Sequence, residues 1–404
     1  MRIEYRVHRV RMHRQFYQSG VSADETASLF DRCPACTGDL LELVRLVDAK
    51  SRPVLVRSIC GRCHLVVLAR GPTRAWIDRY YREKWDHLPG NAAVHDRSTN
   101  DAPLRAFERH CPGASRAASR VLDIGAGYGM ALRSFRDAGF TRLFAVEQSA
   151  RRAAHVSGTL GIPTATCGIE DLPGSALLER DGPFEFVYLW HVFEHLVDPA
   201  RALAVLATAV APGGLLMLAV PNFFRESTIH LGHDVHHVCS YTAASLCRLV
   251  ADAGFERLEL DERAACSGFV LVARRGAGAS APIPPAPTRR DVIAKVARDL
   301  DLYYGYAEWN AGRPFCHRLS LDELQNGRVV DQSFAPRRRQ RIARWLTGGA
   351  PGYSIDLSFA QYDPNVHEYL HRCTAVAFDP STPDPEVLAI DLRYDAPSVP
   401  IWLK

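Results

Sequence analysis

Across 404 residues there is no run of about 18 apolar residues, so no membrane-spanning helix is expected. The N-terminus, MRIEYRVHRVRMHRQ, is basic but lacks the apolar stretch of a secretory signal, and the expected compartment is the cytoplasm. A strong charge of either sign is also missing. With 49 Lys and Arg against 45 Asp and Glu, the net charge of +4 permits an acidic partner without requiring one. The densest basic run, Arg337–Leu346, reads as a surface helix with Ile342, Trp345 and Leu346 turned inward, and a phosphate-binding patch is the alternative. No internal repeat is present. Cysteine is not scarce, but a chain this long does not need disulfides to build a core. Four of the eleven cysteines form two close pairs, and the scattered seven read as buried thiols.

Composition divides the chain. Residues 1–100 carry the cysteine pairs, and residues 101–275 alternate strand and helix signals. Residues 276–288 are a Gly/Ala/Pro linker, and residues 289–404 read as an α+β accessory domain for substrate recognition or dimerisation. In the last block, Asp291–Tyr304 has helical spacing, and Thr374–Phe378, Val387–Tyr394 and Val399–Leu403 look like strands.

The pairs are Cys33-Pro-Ala-Cys36 and Cys60-Gly-Arg-Cys63. Each C-x-x-C turn can offer two thiolates, and two such turns complete a tetrahedral four-sulfur site for one structural zinc. Strand-like runs at Leu40–Val47, Pro53–Ile59 and Leu65–Ala69 give the pattern of a zinc ribbon. Four sulfurs leave no open position, and His64 is not counted as a ligand. The segment Thr73–Trp85 has helical spacing of Tyr80, Tyr81 and Trp85, suited to packing the ribbon on the next block.

In the central block, the strand Arg120–Ile124 runs into Gly125-Ala-Gly-Tyr-Gly129 and a helix from Met130 to Ala138. Glycines allow a backbone to approach a ligand that a Cβ would push away, and the helix N-terminus offers amides to it. The strand Arg142–Val146 ends at Glu147, 24 positions beyond Asp123, where an acid can accept from both ribose hydroxyls. Further strands are read at Pro163–Cys167, Phe184–Trp190, after the Pro212-Gly-Gly turn, at Glu256–Leu260 and at Gly268–Ala273. Helices are read at Ala200–Ala211, with Pro199 in the first turn, and at Ala243–Ala253, between Thr242 as N-cap and Gly254 as stop. The alternation argues a doubly wound α/β sheet.

The glycine turn, the acid-ended second strand, His191-Val-Phe-Glu-His195, Pro212-Gly-Gly, Val220-Pro-Asn and Ala253-Gly-Phe follow one another as in class I S-adenosylmethionine (SAM)-dependent methyltransferases, which residues 101–275 resemble. With the cysteine pairs ahead, the layout is similar to that of deoxysugar C-methyltransferases and related natural-product methyltransferases. The resemblance implies a seven-stranded Rossmann-like sheet with its last strand antiparallel. It also implies SAM as cofactor, held by Asp123, Gly125, Gly127 and Gly129 at the methionine portion and by Glu147 at the ribose. Gly168, Ile169 and Glu170 would flank the adenine, with Trp190 and His191 at the end of strand Phe184–Trp190. Two departures stand out. Many relatives have Asp where Gly168 stands, and residues 289–404 lack the glycine-containing βαβ pattern of the sugar enzymes' third domain.

Methyl transfer needs alignment of the acceptor and, for many acceptors, a base that works near neutrality. The candidates are His195, then His191, then His237, with Glu194 as the carboxylate that raises imidazole basicity and Tyr241 beside the loop. If a helical turn begins at His191, Glu194 and His195 share its face. His233, Asp234, His236 and His237 are spaced too irregularly for a metal site and are read as lining the acceptor pocket. The expected acceptor is a small molecule such as a sugar or specialised metabolite. A nucleic acid gripped by the ribbon is the rival, and a non-catalytic SAM-binding scaffold is a second.

Overall fold

The computed structural model describes residues 2–10, 19–73, 75–77, 79, 101–225, 234–262, 268–276, 281–288, 291–292, 371–374, 389–394 and 397–401. Tyr80, Tyr81, Trp85, His233, the Arg337–Leu346 run and most of the block after residue 289 lie outside the described residues.

The N-terminal strands are β1 (Arg2–Val10), β2 (Ser19–Ser22), β3 (Thr26–Ser28), β4 (Leu40–Val47), β5 (Pro53–Cys60) and β6 (Val66–Pro72). β4, β5 and β6 form an antiparallel meander, and the two Cys-x-x-Cys turns lie at the same end of it.

The central block contains α1 (Ala102–His110), β7 (Arg120–Ile124), α2 (Met130–Asp137), β8 (Arg142–Val146), α3 (Ala150–Leu160) and β9 (Thr164–Ala165). It continues through α4 (Ala176–Asp181), β10 (Phe184–Trp190), α5 (Pro199–Ala209), β11 (Val210–Pro221), β12 (Cys239–Ser240), α6 (Ala243–Asp252), β13 (Phe255–Asp261) and β14 (Gly268–Arg275). The seven-stranded sheet runs in the order β13-β14-β11-β10-β7-β8-β9. It is parallel from β11 to β9, whereas β14 lies antiparallel to both neighbours. This is the seven-stranded Rossmann-like sheet that the resemblance implied, with its last strand antiparallel. The expected strand Pro163–Cys167 shrinks to the two residues of β9 at the sheet edge.

Alternation along the strands feeds two cores, as a sheet covered on both faces requires. Val121, Phe186, Tyr188, Leu215 and Met217 face α1, α2 and α3. Leu122, Ile124, Val187, Leu189, Leu216 and Leu218 face α4, α5 and α6. On the first face Phe107 meets Phe140 edge-on at 5.2 Å and Phe186 at 5.5 Å, the geometry in which ring quadrupoles attract. Helix ends are set locally: Ser149, Asp198 and Thr242 accept the Arg152, Arg201 and Ser245 amides, and Gly161 closes α3 in the left-handed region.

The second core does not stop at the domain. Cys33, Cys60, Leu65 and Val67 of the ribbon are continuous with Val238, Cys239 and Tyr241. β12 pairs antiparallel with β6, Cys239 opposite Val67 and Ser240 opposite Val66. The remaining described strands, β15 (His371–Thr374), β16 (Ala389–Tyr394) and β17 (Ser398–Ile401), also return to the N-terminal region. β16 lies between β4 and β1, β15 pairs with β1, and β17 pairs with β2.

Candidate active site

The turn after β7 packs its three glycines differently. A Cβ on Gly125 would run into Val192 Cγ2, and one on Gly129 would lie 2.6 Å from Leu160 Cδ1. Only at Gly127 would a Cβ meet nothing within 4 Å. Gly125 and Gly129 are thus required by packing and by their φ of +77° and +72°, whereas Gly127, with a φ of +56°, faces open space.

Glu147, buried at the end of β8, ties the turn down. Its Oε2 accepts the Gly127 amide at 2.8 Å and its Oε1 accepts the Ser149 amide at 2.8 Å. Asp123 accepts the phenol of Tyr188 at 2.7 Å. Burial pushes the Asp123 carboxyl up to about 7; the Tyr188 hydrogen bond opposes this and the Glu147 charge adds to it. Tyr128, between Gly127 and Gly129, meets His155 edge-on at 5.3 Å with Arg152 over its ring, an aromatic at the mouth of the turn that sequence reasoning did not single out. Gly168 is the N-cap of a short 3-10 helix, Ile169–Gly174, in which Ile169 is buried in the core and Glu170 is exposed. Trp190 is partly buried and meets His191 edge-on.

After β10 the chain does not enter the expected helical turn at His191. That residue is left-handed (φ +53°), and a single 3-10 turn covers Phe193–His195. The grouping forms nonetheless. Glu194 Oε1 lies 3.2 Å from His191 Nδ1, 3.9 Å from His195 Nε2 and 3.9 Å from His237 Nε2. Burial alone would raise the Glu194 carboxyl, but the His191 hydrogen bond and the charges of His195, His191 and His237 hold it down to about 2. Its second oxygen is buried and takes no hydrogen bond among the described residues.

His195 Nδ1 is 2.9 Å from the His236 carbonyl. A carbonyl only accepts, so the Nδ1 proton is fixed and the Nε2 lone pair of the neutral ring is left for a substrate. Desolvation lowers the His195 pKa below the ordinary 6.5, against the opposing charge of Glu194. Asp234 holds the loop: its Oδ1 accepts the His236 amide at 2.7 Å, and its Oδ2 stands 3.1 Å from His237 Nδ1. His237 is buried and His195 is 32% exposed, so of the two His195 is the more accessible from outside. Tyr241 is fully buried, stacked on Phe193 at 5.3 Å with its hydroxyl toward the Phe193 carbonyl at 3.4 Å. It belongs to the core beneath the site and not to an acceptor surface, because a ring with no exposed atoms cannot touch substrate.

Among the described residues, two donor sets could hold a metal. The Glu194, His195 and His237 donors lie within 4.8 Å of one another, as do the four cysteine sulfurs. The sulfur set has the features of a metal knuckle pair. Cys33 Sγ is 3.5 Å from Cys63 Sγ, and Cys36 Sγ is 3.5 Å from Cys60 Sγ, all as free thiols. The Arg62 and Cys63 amides point at Cys60 Sγ at 3.3 and 3.4 Å. Each pair is followed by a left-handed residue, Thr37 and His64. A Cβ on Gly38 would stand 2.9 Å from Cys60 Sγ. The hydrogen bond with Cys63 pulls the Cys33 thiol down to about 5, while the same bond and burial push Cys63 up. His64 is not part of the cluster.

Residues 93–260 match the family described as a methyltransferase domain. The central block is a methyltransferase domain. A stretch of 123 residues is 34% identical to a ubiquinone biosynthesis O-methyltransferase of Caulobacter sp. (strain K31), covering 30% of this chain and 48% of that protein. A protein of the same name from Burkholderia pseudomallei (strain 1710b) is 25% identical over 193 residues, covering 44% of this chain and 79% of that protein. The chain spans about half the length of the first curated relatives it matches. Among solved structures, the Burkholderia thailandensis 1,6-didemethyltoxoflavin N1-methyltransferase with its acceptor and S-adenosylhomocysteine aligns at 18% identity and a TM-score of 0.36, covering 50% of this chain and 86% of that one. The methyltransferase domain thus carries the glycine turn, Glu147 and the His191–Glu194–His195 grouping at the C-terminal ends of its parallel strands, where doubly wound sheets bind ligands.

Proposed function

We propose that this protein transfers a methyl group from SAM to a small-molecule acceptor, a sugar or specialised metabolite, with His195 as the general base. The observation that carries the reading is the fixed Nδ1 proton of His195, which leaves Nε2 as a lone-pair donor beside the ends of β7 and β10. SAM supplies a methyl on a positively charged sulfur, a leaving group that needs no further activation. Gly127 leaves space for it and Glu147 presents carboxylate oxygens suited to its ribose. His195 takes the acceptor proton at Nε2, and the anionic Glu194 stabilises the imidazolium that results. His191 and His237 share that carboxylate and hold it in place. Cys33, Cys36, Cys60 and Cys63 hold one structural zinc.

The relatives' names make oxygen the first acceptor atom to test. The experiment measures S-adenosylhomocysteine formation from SAM with fractionated metabolite extract and, in parallel, with total RNA. Turnover on a metabolite fraction is expected, with loss of about 100-fold or more in kcat for His195→Ala, the usual weight of a positioned base. Turnover on RNA alone would replace the small-molecule reading with a nucleic-acid one. SAM binding without turnover on either would favour a scaffold.

A further inference from the structure

We infer that Arg57 is a positioning residue, through which the four-cysteine ribbon fixes the loop that sets His195 and His237. The inference rests on the proposed role of those histidines.

Arg57 lies on β5, three residues before the cluster ligand candidate Cys60, yet its side chain belongs to another part of the molecule. It is 1% exposed, and its guanidinium donates from Nη1 to the His237 carbonyl and from Nη2 to the Asp234 carbonyl. These two carbonyls are the ends of the tight turn that Asp234 Oδ1 closes on the His236 and His237 amides. One planar fork therefore spans the turn from outside while the Asp234 carboxylate ties it from inside. Lysine, a point charge on a flexible stem, cannot span both ends at once.

The ribbon holds the rest of the segment as well. The Leu68 amide donates to the Val238 carbonyl at 2.9 Å, and β12 pairs with β6 over the next two residues. From Asp234 to Ser240 the loop is thus bonded to β5 or β6 at Asp234, His237, Val238, Cys239 and Ser240. Between the first two anchors lie Val235 and His236, and the His236 carbonyl accepts from His195 Nδ1 and so sets the tautomer on which the base depends. His237 places its Nε2 against Glu194. The cysteine cluster shares the core beneath this segment, since Cys33 and Cys60 pack with Val238 and Cys239. Loss of either the guanidinium or the cluster's metal frees the turn, and with it the carbonyl that orients His195.

The test uses the full chain as Arg57→Met and Arg57→Lys, beside wild-type protein stripped with a strong chelator. Hydrogen–deuterium exchange is followed by peptide, zinc content by mass spectrometry and SAM affinity by calorimetry. In Arg57→Met with zinc retained, exchange of the His236 and His237 amides is expected to rise by about tenfold or more, with exchange over Val121–Gly129 unchanged. Arg57→Lys is expected to fall between, and the stripped protein to show the same local rise. With an acceptor in hand, kcat falls while the SAM Kd stays within about twofold, since the cofactor turn is not in this path. Should Arg57→Met not fold, the lysine variant and the stripped protein decide. Unchanged exchange at His236 and His237 would overturn the inference, and so would a rise spread evenly over the chain, the mark of a purely structural role. Failure of SAM to bind would sink the proposed function and leave the exchange comparison standing.

Discussion

Asp123 is where burial and chemistry conflict most directly. Its carboxyl is held up to about 7 in the folded protein against 3.8 in a free chain. A raised folded pKa contributes stability that is fully present below 3.8 and lost as pH rises through about 7. Asp123→Asn should therefore raise stability at pH 8 by up to about 4 kcal/mol and flatten its pH dependence between pH 4 and 7. Urea melts at pH 5 and pH 8 check this, and an equal effect at both would refute it. If the SAM ammonium sits against Asp123, calorimetry should show affinity rising with pH through about 7, as the carboxylate forms. Glu147→Gln is expected to weaken SAM by about tenfold or more, because a charged acceptor is lost from both the turn and the ribose. At His195 the sign is reversed. Its pKa is lowered, so the rising limb of kcat/KM against pH should have its midpoint below 6.5, and a midpoint above that value would remove His195 as the base.

Among the elements, the glycine turn makes a prediction that its motif alone does not. Gly125→Ala forces a Cβ into Val192 at a φ of +77°, and should cost about 2 to 4 kcal/mol of stability. Adding Val192→Gly should return the steric part and leave the backbone part. A double-mutant cycle showing no coupling would contradict the packing role. The elements themselves were legible to the residue in several places. β4, β7, β8 and β10 begin and end where the apolar runs do, and Thr242 caps α6 as its position suggested. Periodicity and punctuation are local signals, and β7, β8 and β10 are buried on both faces along most of their length. What the site added was not local. Arg57 reads as a polar residue interrupting an apolar strand, and nothing near it in sequence points to carbonyls almost 180 residues away. Val192 over Gly125, the Tyr188 phenol on Asp123, and the two-residue β12 are likewise tertiary contacts with no period to reveal them. The left-handed His191 escaped for a different reason: a non-glycine residue at positive φ has no compositional mark.

On the scale of the whole molecule, the ribbon and the methyltransferase domain share a core and a strand pairing, so neither is expected to melt alone. Chelation of the cysteine site should lower the melting temperature of a single cooperative transition. An early ribbon transition followed by an unshifted second one would show that the shared core does not couple them. The pairing of β12 with β6 also has a consequence for how the protein is made. Val67 leaves the ribosome about 170 residues before Cys239, its partner. At 5–20 residues per second, the open edge of β6 waits roughly 10 to 35 s for the strand that closes it. During translation the Val66–Leu68 part of that edge, beyond the stretch that β3 covers, is an unpaired template for any passing strand. The nascent chain is therefore exposed to misassembly at β6 until the acceptor loop is complete, and at the other edge of the meander, β4, until β16 is made, and a chaperone's contribution would fall in that interval.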